Sequence, residues 1–332
     1  MFARRLLALG FAVSIAPAIE AADDPAVRPA AGLPRALAYL EREVPRWSRE
    51  NRCFSCHNNA DGARALYLAA GPGPLPAPLR DSHGWLVDPK RWEHNGGEGP
   101  FSDKRLARLQ FAAALADAVA TGKATDRGPL LEVARAIVAD QRPDGSWAPE
   151  GPEALGSPAT LGTPLATLTA RDILRAADPR RFADAIARAQ ARLDAITPVT
   201  LIDAAVVLQA RDDHPRAADA LERIREGEAD GGGWGPYADS PPEPFDTAVV
   251  LLALARDRSK HREMIERGRR YLIAAQLDDG SWPETTRPAG LESYAQRVST
   301  AGWAARALIA TAPAVTDSTP KPDQSPRGVN GK

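Results

Sequence analysis

The only two cysteines of this 332-residue chain, Cys53 and Cys56, fall in one pentapeptide, Cys53-Phe54-Ser55-Cys56-His57. Two thiols three positions apart, followed at once by an imidazole, make the C-x-x-C-H pattern that attaches haem covalently. On a helical turn, positions i and i+3 share one side. Both sulfurs could then form thioethers to the two vinyl groups of one haem, with the imidazole of His57 under the iron as its proximal ligand. The same residues admit other chemistry. A Cys53–Cys56 disulfide or dithiol suits an oxidising compartment. Zinc wants four ligands, and no second Cys/His pair stands at finger spacing, so neither a zinc nor a calcium site is supported.

Compartment bears on that choice. Arg4 and Arg5 precede an apolar run from Leu6 to Ile19, then small residues and Asp23-Asp24. This order predicts a signal peptide over residues 1–22 and a periplasmic or secreted product. The run is short for a transmembrane helix, which leaves an N-terminal anchor as the alternative and no membrane span after cleavage. Export suits haem of the c type, which resembling proteins acquire outside the bacterial cytoplasmic membrane. The formal net charge is −1, with no basic field for nucleic acid. Residues 313–332 are rich in Pro, Ser, Thr, Asp and Lys and are predicted to be a disordered tail. The stretch Gly71-Pro72-Gly73-Pro74-Leu75-Pro76-Ala77-Pro78 is expected to be an extended connector rather than helix.

The elements that must position the motif show themselves by repetition. Gln141-Arg142-Pro143-Asp144-Gly145-Ser146-Trp147 returns as Gln276-Leu277-Asp278-Asp279-Gly280-Ser281-Trp282. A degenerate copy, Glu228 to Trp234, has Glu in place of Gln, and a weaker one lies near Leu193-Asp194-Ala195. Each is flanked by helical patterns. A helix with a charged face precedes it (Leu130–Gln141, Pro215–Glu226, Lys260–Gln276), and a more apolar one comes after it (Ala159–Ala176, Phe245–Asp257, Glu292–Ala312). Arg181–Leu193 with Val199–Asp212, and Leu33–Glu43 with Asp61–Ala70, form further pairs, and Ser102–Thr121 is the second helix of the unit containing Trp92. These pairs predict an all-α chain of about five to six helical hairpins.

From about Leu33 to Thr311 the chain resembles the squalene–hopene cyclase and protein prenyltransferase β-subunit superfamily, whose Q-x-x-D-G-S-W motifs join outer to inner helices. The resemblance implies an α/α toroid over residues 33–312, with the motifs as structural clamps. It also implies a central cavity for an apolar or carbohydrate ligand. The superfamily's catalytic sets are absent: no D-x-D-D occurs, and no cysteine comes after Cys56 to complete a late zinc site. Asp172, Asp203, Asp246, Arg171 and Arg306 fall on the inner helices, with Asp246 expected to cap one. Whether the chain is an enzyme stays open.

Aligning the hairpins puts residues 53–57 at a joint beside the one holding Arg91 to Gly97. His94 is then the first candidate for the distal iron ligand and His83 the second. Two axial histidines would suit electron transfer with a redox partner protein, and an open site would suit haem-based sensing of a ligand. The rival expectation is a toroid enzyme or ligand-binding protein with Cys53 and Cys56 as a structural disulfide.

Overall fold

The computed structural model describes residues 28–94, 104–149, 155–285, 287, 290 and 293–313. The predicted signal peptide, residues 1–22, lies outside the described residues, as does the tail from position 314 onward. Twelve α-helices and no strand occur among the described residues. In chain order they are α1 (Arg28–Asn51), α2 (Ala63–Ala70), α3 (Arg80–Leu86), α4 (Lys104–Ala120), α5 (Gly128–Ala139) and α6 (Gly162–Ala177). They continue with α7 (Ala183–Asp194), α8 (Leu201–Ala210), α9 (Ala217–Glu226), α10 (Pro244–Leu254), α11 (Arg262–Ala274) and α12 (Tyr294–Ala310). None of them is long and apolar enough to cross a membrane.

The even-numbered helices touch one another in order from α2 to α12, and α12 returns to α2, so the contacts close a cycle. Helices α1, α5, α7, α9 and α11 each pack on members of that cycle. Composition explains the division. Helix α10 is apolar nearly all round and buries almost every residue, whereas α9 buries only Ala220 and Ile224 and turns its charges to water.

The repeated motif builds equivalent joints. The indole Nε1 of Trp147, Trp234 and Trp282 donates to the carbonyl ten residues back, that of Ile137, Ile224 and Leu272, at 2.8, 2.7 and 2.6 Å. The Gln141 amide donates to Gly145 O and to Ala185 O of α7, and Gln276 does the same to Gly280 O and to Gly32 O of α1. In the degenerate copy Glu228 instead takes an ion pair with Arg267 of α11. Gly145 and Gly280 sit at φ 85° and 92°, and a Cβ there would stand 2.4 Å from Arg188 O and 2.3 Å from Arg35 O. The last motif therefore joins α11 to α1, the first described helix.

Three local expectations need correction. Helix α1 runs on to Asn51, eight residues past Glu43, because Leu40, Val44 and Pro45 continue its buried stripe. The connector ends in a 3₁₀ turn at Ala77–Leu79 that leads into α3, a helix not expected from the sequence. Asp246 lies in the first turn of α10, where Glu243 is the capping position. Both oxygens of its carboxylate accept from Arg287 Nη2, at 2.5 and 2.6 Å, while Arg287 Nη1 donates to Glu243 at 2.7 Å.

Candidate functional site

The motif begins where α1 stops. Arg52 adopts φ 55°, a left-handed conformation that ends the helix. Ser55, inside the motif, then starts the next one: its hydroxyl accepts from His57 N and Asn58 N, at 3.1 and 3.3 Å. Cys53 consequently sits in a bend and Cys56 at the start of the next turn. The two cysteines do not share a helical turn as expected, because the Ser55 cap lies between them. Both are partly exposed, and no disulfide joins them.

That next turn is a π-helix, His57–Gly62, in which Asp61 N reaches Cys56 O, five residues back, at 3.1 Å. Such wide turns recur at functional sites. Here the extra residue lets Asn58, Asn59 and Asp61 all point inward, and all three are buried. Asn58 Nδ2 donates to Glu43 O and Tyr294 Oη, both at 2.9 Å. Asn59 Nδ2 donates to Val44 O and to Ser82 Oγ at 2.9 Å. Gly302 of α12 brings that helix close, since a Cβ there would meet Asp61 O at 2.4 Å.

One turn earlier on α12, Ser299 meets His57. Its Oγ lies 3.1 Å from His57 Nδ1 and donates its proton to Asp61 Oδ2. Gln110 Nε2 of α4 donates to the same carboxylate oxygen at 2.7 Å. A hydroxyl has one proton, so Ser299 must accept from His57 Nδ1–H. The imidazole therefore holds its proton on Nδ1 and its lone pair on Nε2. Burial pushes the His57 pKa below the usual imidazole value, with Asp61 opposing, so the ring is neutral at neutral pH.

Beside the motif lies an open groove of about 370 Å³, lined by Phe54 and Trp85 with Arg49, Arg80 and Arg91 against a single carboxylate, Asp81. The Phe54 and Trp85 rings stack at 4.4 Å, and Trp92 Nε1 donates to Trp85 O at 3.0 Å, so the two joints adjoin. The distal candidates fare differently. The backbone of His94 closes a 3₁₀ turn, Pro89–His94, but its side chain lies outside the described ones. The Nδ1 atom of His83 meets Tyr67 Oη at 3.3 Å. Among the described residues, no hydrogen bond or ring contact joins His83 to His57, which is held from α12 instead. Among them, too, no group of three or more His, Cys, Asp or Glu side chains is placed to hold a metal ion. A haem iron needs only one or two protein ligands.

Sequence reasoning singled out Cys53, Cys56 and His57 as candidates but not Asp61, Gln110 and Ser299, which the structure links to His57. The polar run Asn58-Asn59-Ala60-Asp61 was the available signal, since three polar side chains opening a helix otherwise rich in Ala and Leu need buried partners. The chain matches no protein-family model and no curated protein sequence.

Proposed function

We propose that the chain is an exported c-type haem protein serving electron transfer or haem-based ligand sensing. The orientation of His57 carries this reading. A ligand nitrogen needs a free lone pair, and a second-shell partner on the other ring nitrogen sets which one has it. The Asp61–Ser299–His57 chain supplies that partner, and the lone pair stays on Nε2. Cys53 and Cys56 would hold the haem covalently, His57 Nε2 would bind its iron, and Arg49, Arg80 and Arg91 offer positive charge for its propionates. When bound, the haem supplies one-electron chemistry or an open coordination position for a small ligand. The chain's own part is to hold the imidazole neutral and fixed, with an anionic carboxylate behind it. His83 and His94 remain the candidates for the second axial position, and a redox partner protein is the expected partner. The closed cycle of helix contacts supports an α/α-toroid scaffold, and the basic, apolar and small-residue order of the N-terminus supports export.

The test is covalent haem. Expressed with a cytochrome-maturation system, the protein should keep a haem stain after denaturation. Cys53→Ala or Cys56→Ala should each weaken it, and the double variant should abolish it. Denatured wild-type protein without haem would sink the proposal and favour the structural-disulfide alternative.

A further inference from the structure

Helices α2, α4, α10 and α12 send side chains to a point one turn along α12 from Ser299 and remote from the cysteines in sequence. The Trp303 ring is its centre. Arg306 lies over the ring with its guanidinium carbon at 4.6 Å from the centroid, Arg64 of α2 at 5.9 Å, and Phe245 of α10 meets it edge-on at 5.5 Å. Arg64 in turn is paired with Asp117 of α4 at 2.5 Å.

Donors outnumber acceptors here. Trp303 is 4% exposed, and its Nε1 has no acceptor among the described residues. Nε and Nη1 of Arg306 are also buried without one. A buried N–H left unbonded costs about 1–3 kcal/mol, and more on a charged group. The three atoms belong to two side chains in contact, and no described residue supplies them an acceptor. Burial and the neighbouring Arg64 push the Arg306 pKa down to about 9, with Asp117 and, least, Asp61 opposing. Asp61 already accepts from Ser299 and Gln110, and Asp117 already holds Arg64. Among the described residues of this cluster, Arg306 is left without a counter-ion. The Arg306 side chain as a whole is partly exposed, although its Nε and Nη1 are buried.

We propose that Arg306 and Trp303 form a binding site for a small monoanionic carboxylate. One unpaired cation matches one negative charge, and a guanidinium fork matches a carboxylate's two oxygens. A phosphate brings about 1.5–2 negative charges at neutral pH. The excess would stand beside Asp117 with nothing to balance it. The site uses no residue of Cys53–His57 and does not depend on haem.

The experiment uses the full-length protein and acetate as probe, with chloride at equal ionic strength as control. Equilibrium dialysis should show saturable retention of radiolabelled acetate, and acetate should raise the thermal midpoint above the chloride baseline. Arg306→Gln should weaken binding roughly tenfold or more while leaving the helical circular-dichroism spectrum unchanged. Should that variant fold poorly, Arg306→Lys keeps the charge and should retain a weaker, still saturable response. Unsaturable retention, an Arg306→Gln response equal to wild type, or tighter binding of inorganic phosphate than of acetate overturns the assignment.

Discussion

Ser299 has one proton to give, and the carboxylate of Asp61 takes it. The consequence for His57 is chemical necessity rather than packing, because the hydroxyl can then only accept from Nδ1. Ser299→Ala should remove this bias. In haem-free protein, nitrogen NMR should show His57 as the Nδ1–H tautomer in the wild type and as a mixture in the variant. In haem-loaded protein the loss of an anionic hydrogen-bond chain behind the ligand should raise the reduction potential, since the oxidised iron loses more support than the reduced one. An unchanged tautomer in Ser299→Ala would remove the main argument for His57 as ligand. The thiols and the imidazole were legible from spacing alone. Ser299 was not, because it stands 242 residues from His57 in the chain and serines carry no pattern that announces a partner.

At the scale of the element, the joints repay comparison. Each Trp indole closes the helix that precedes it, and the glycine two positions before each Trp presses against the backbone of α7, α11 or α1. Gly280→Ala adds a methyl at φ 92° and 2.3 Å from Arg35 O, where only backbone can yield. It should cost about 2–3 kcal/mol from strain and displaced packing. Gly73 also has positive φ, but an added Cβ meets nothing within 4 Å. Gly73→Ala should cost about 1 kcal/mol, and equal losses in urea unfolding would refute the packing argument. Most of the helices were readable from amphipathic period and from glycine and proline punctuation, but their pairing was not: α9 packs on α8 and α11 on α10 rather than on the helices after their motifs. The π-turn at His57–Gly62 was not, since a one-residue insertion leaves the period of a short segment almost unchanged.

The molecule as a whole is a cycle of helices, and the seam lies between α12, α11 and α1. Gln276 reaches Gly32 O across it at 2.9 Å, as Gln141 reaches Ala185 O at 2.9 Å in mid-chain. Tyr294 at the start of α12 donates to Glu43 of α1 at 2.8 Å. In a closed cycle a seam joint is worth as much as any other, whereas in an open stack it belongs to a fraying end. Gln276→Ala and Gln141→Ala should therefore destabilise by amounts within about 1 kcal/mol of each other. Hydrogen exchange of the Gln276→Ala protein should show α1 and α12 losing protection together. A much cheaper seam variant, with α1 alone exposed, would contradict closure.

The sequence by itself determined that the chain is all-helical, where most of its helices and the motif joints fall, and which three residues could hold a haem. All of these rest on short-range patterns: a hydrophobic period, a glycine before a tryptophan, two thiols before an imidazole. Only the tertiary structure decided which way His57 turns and which charges lack partners. It holds His57 from α12 rather than joining it to His83, and it leaves Arg306 and Trp303 with N–H groups unmet among the described residues. Those outcomes depend on which distant side chains the closing of the cycle brings within hydrogen-bond reach, and no local pattern in the chain encodes that distance.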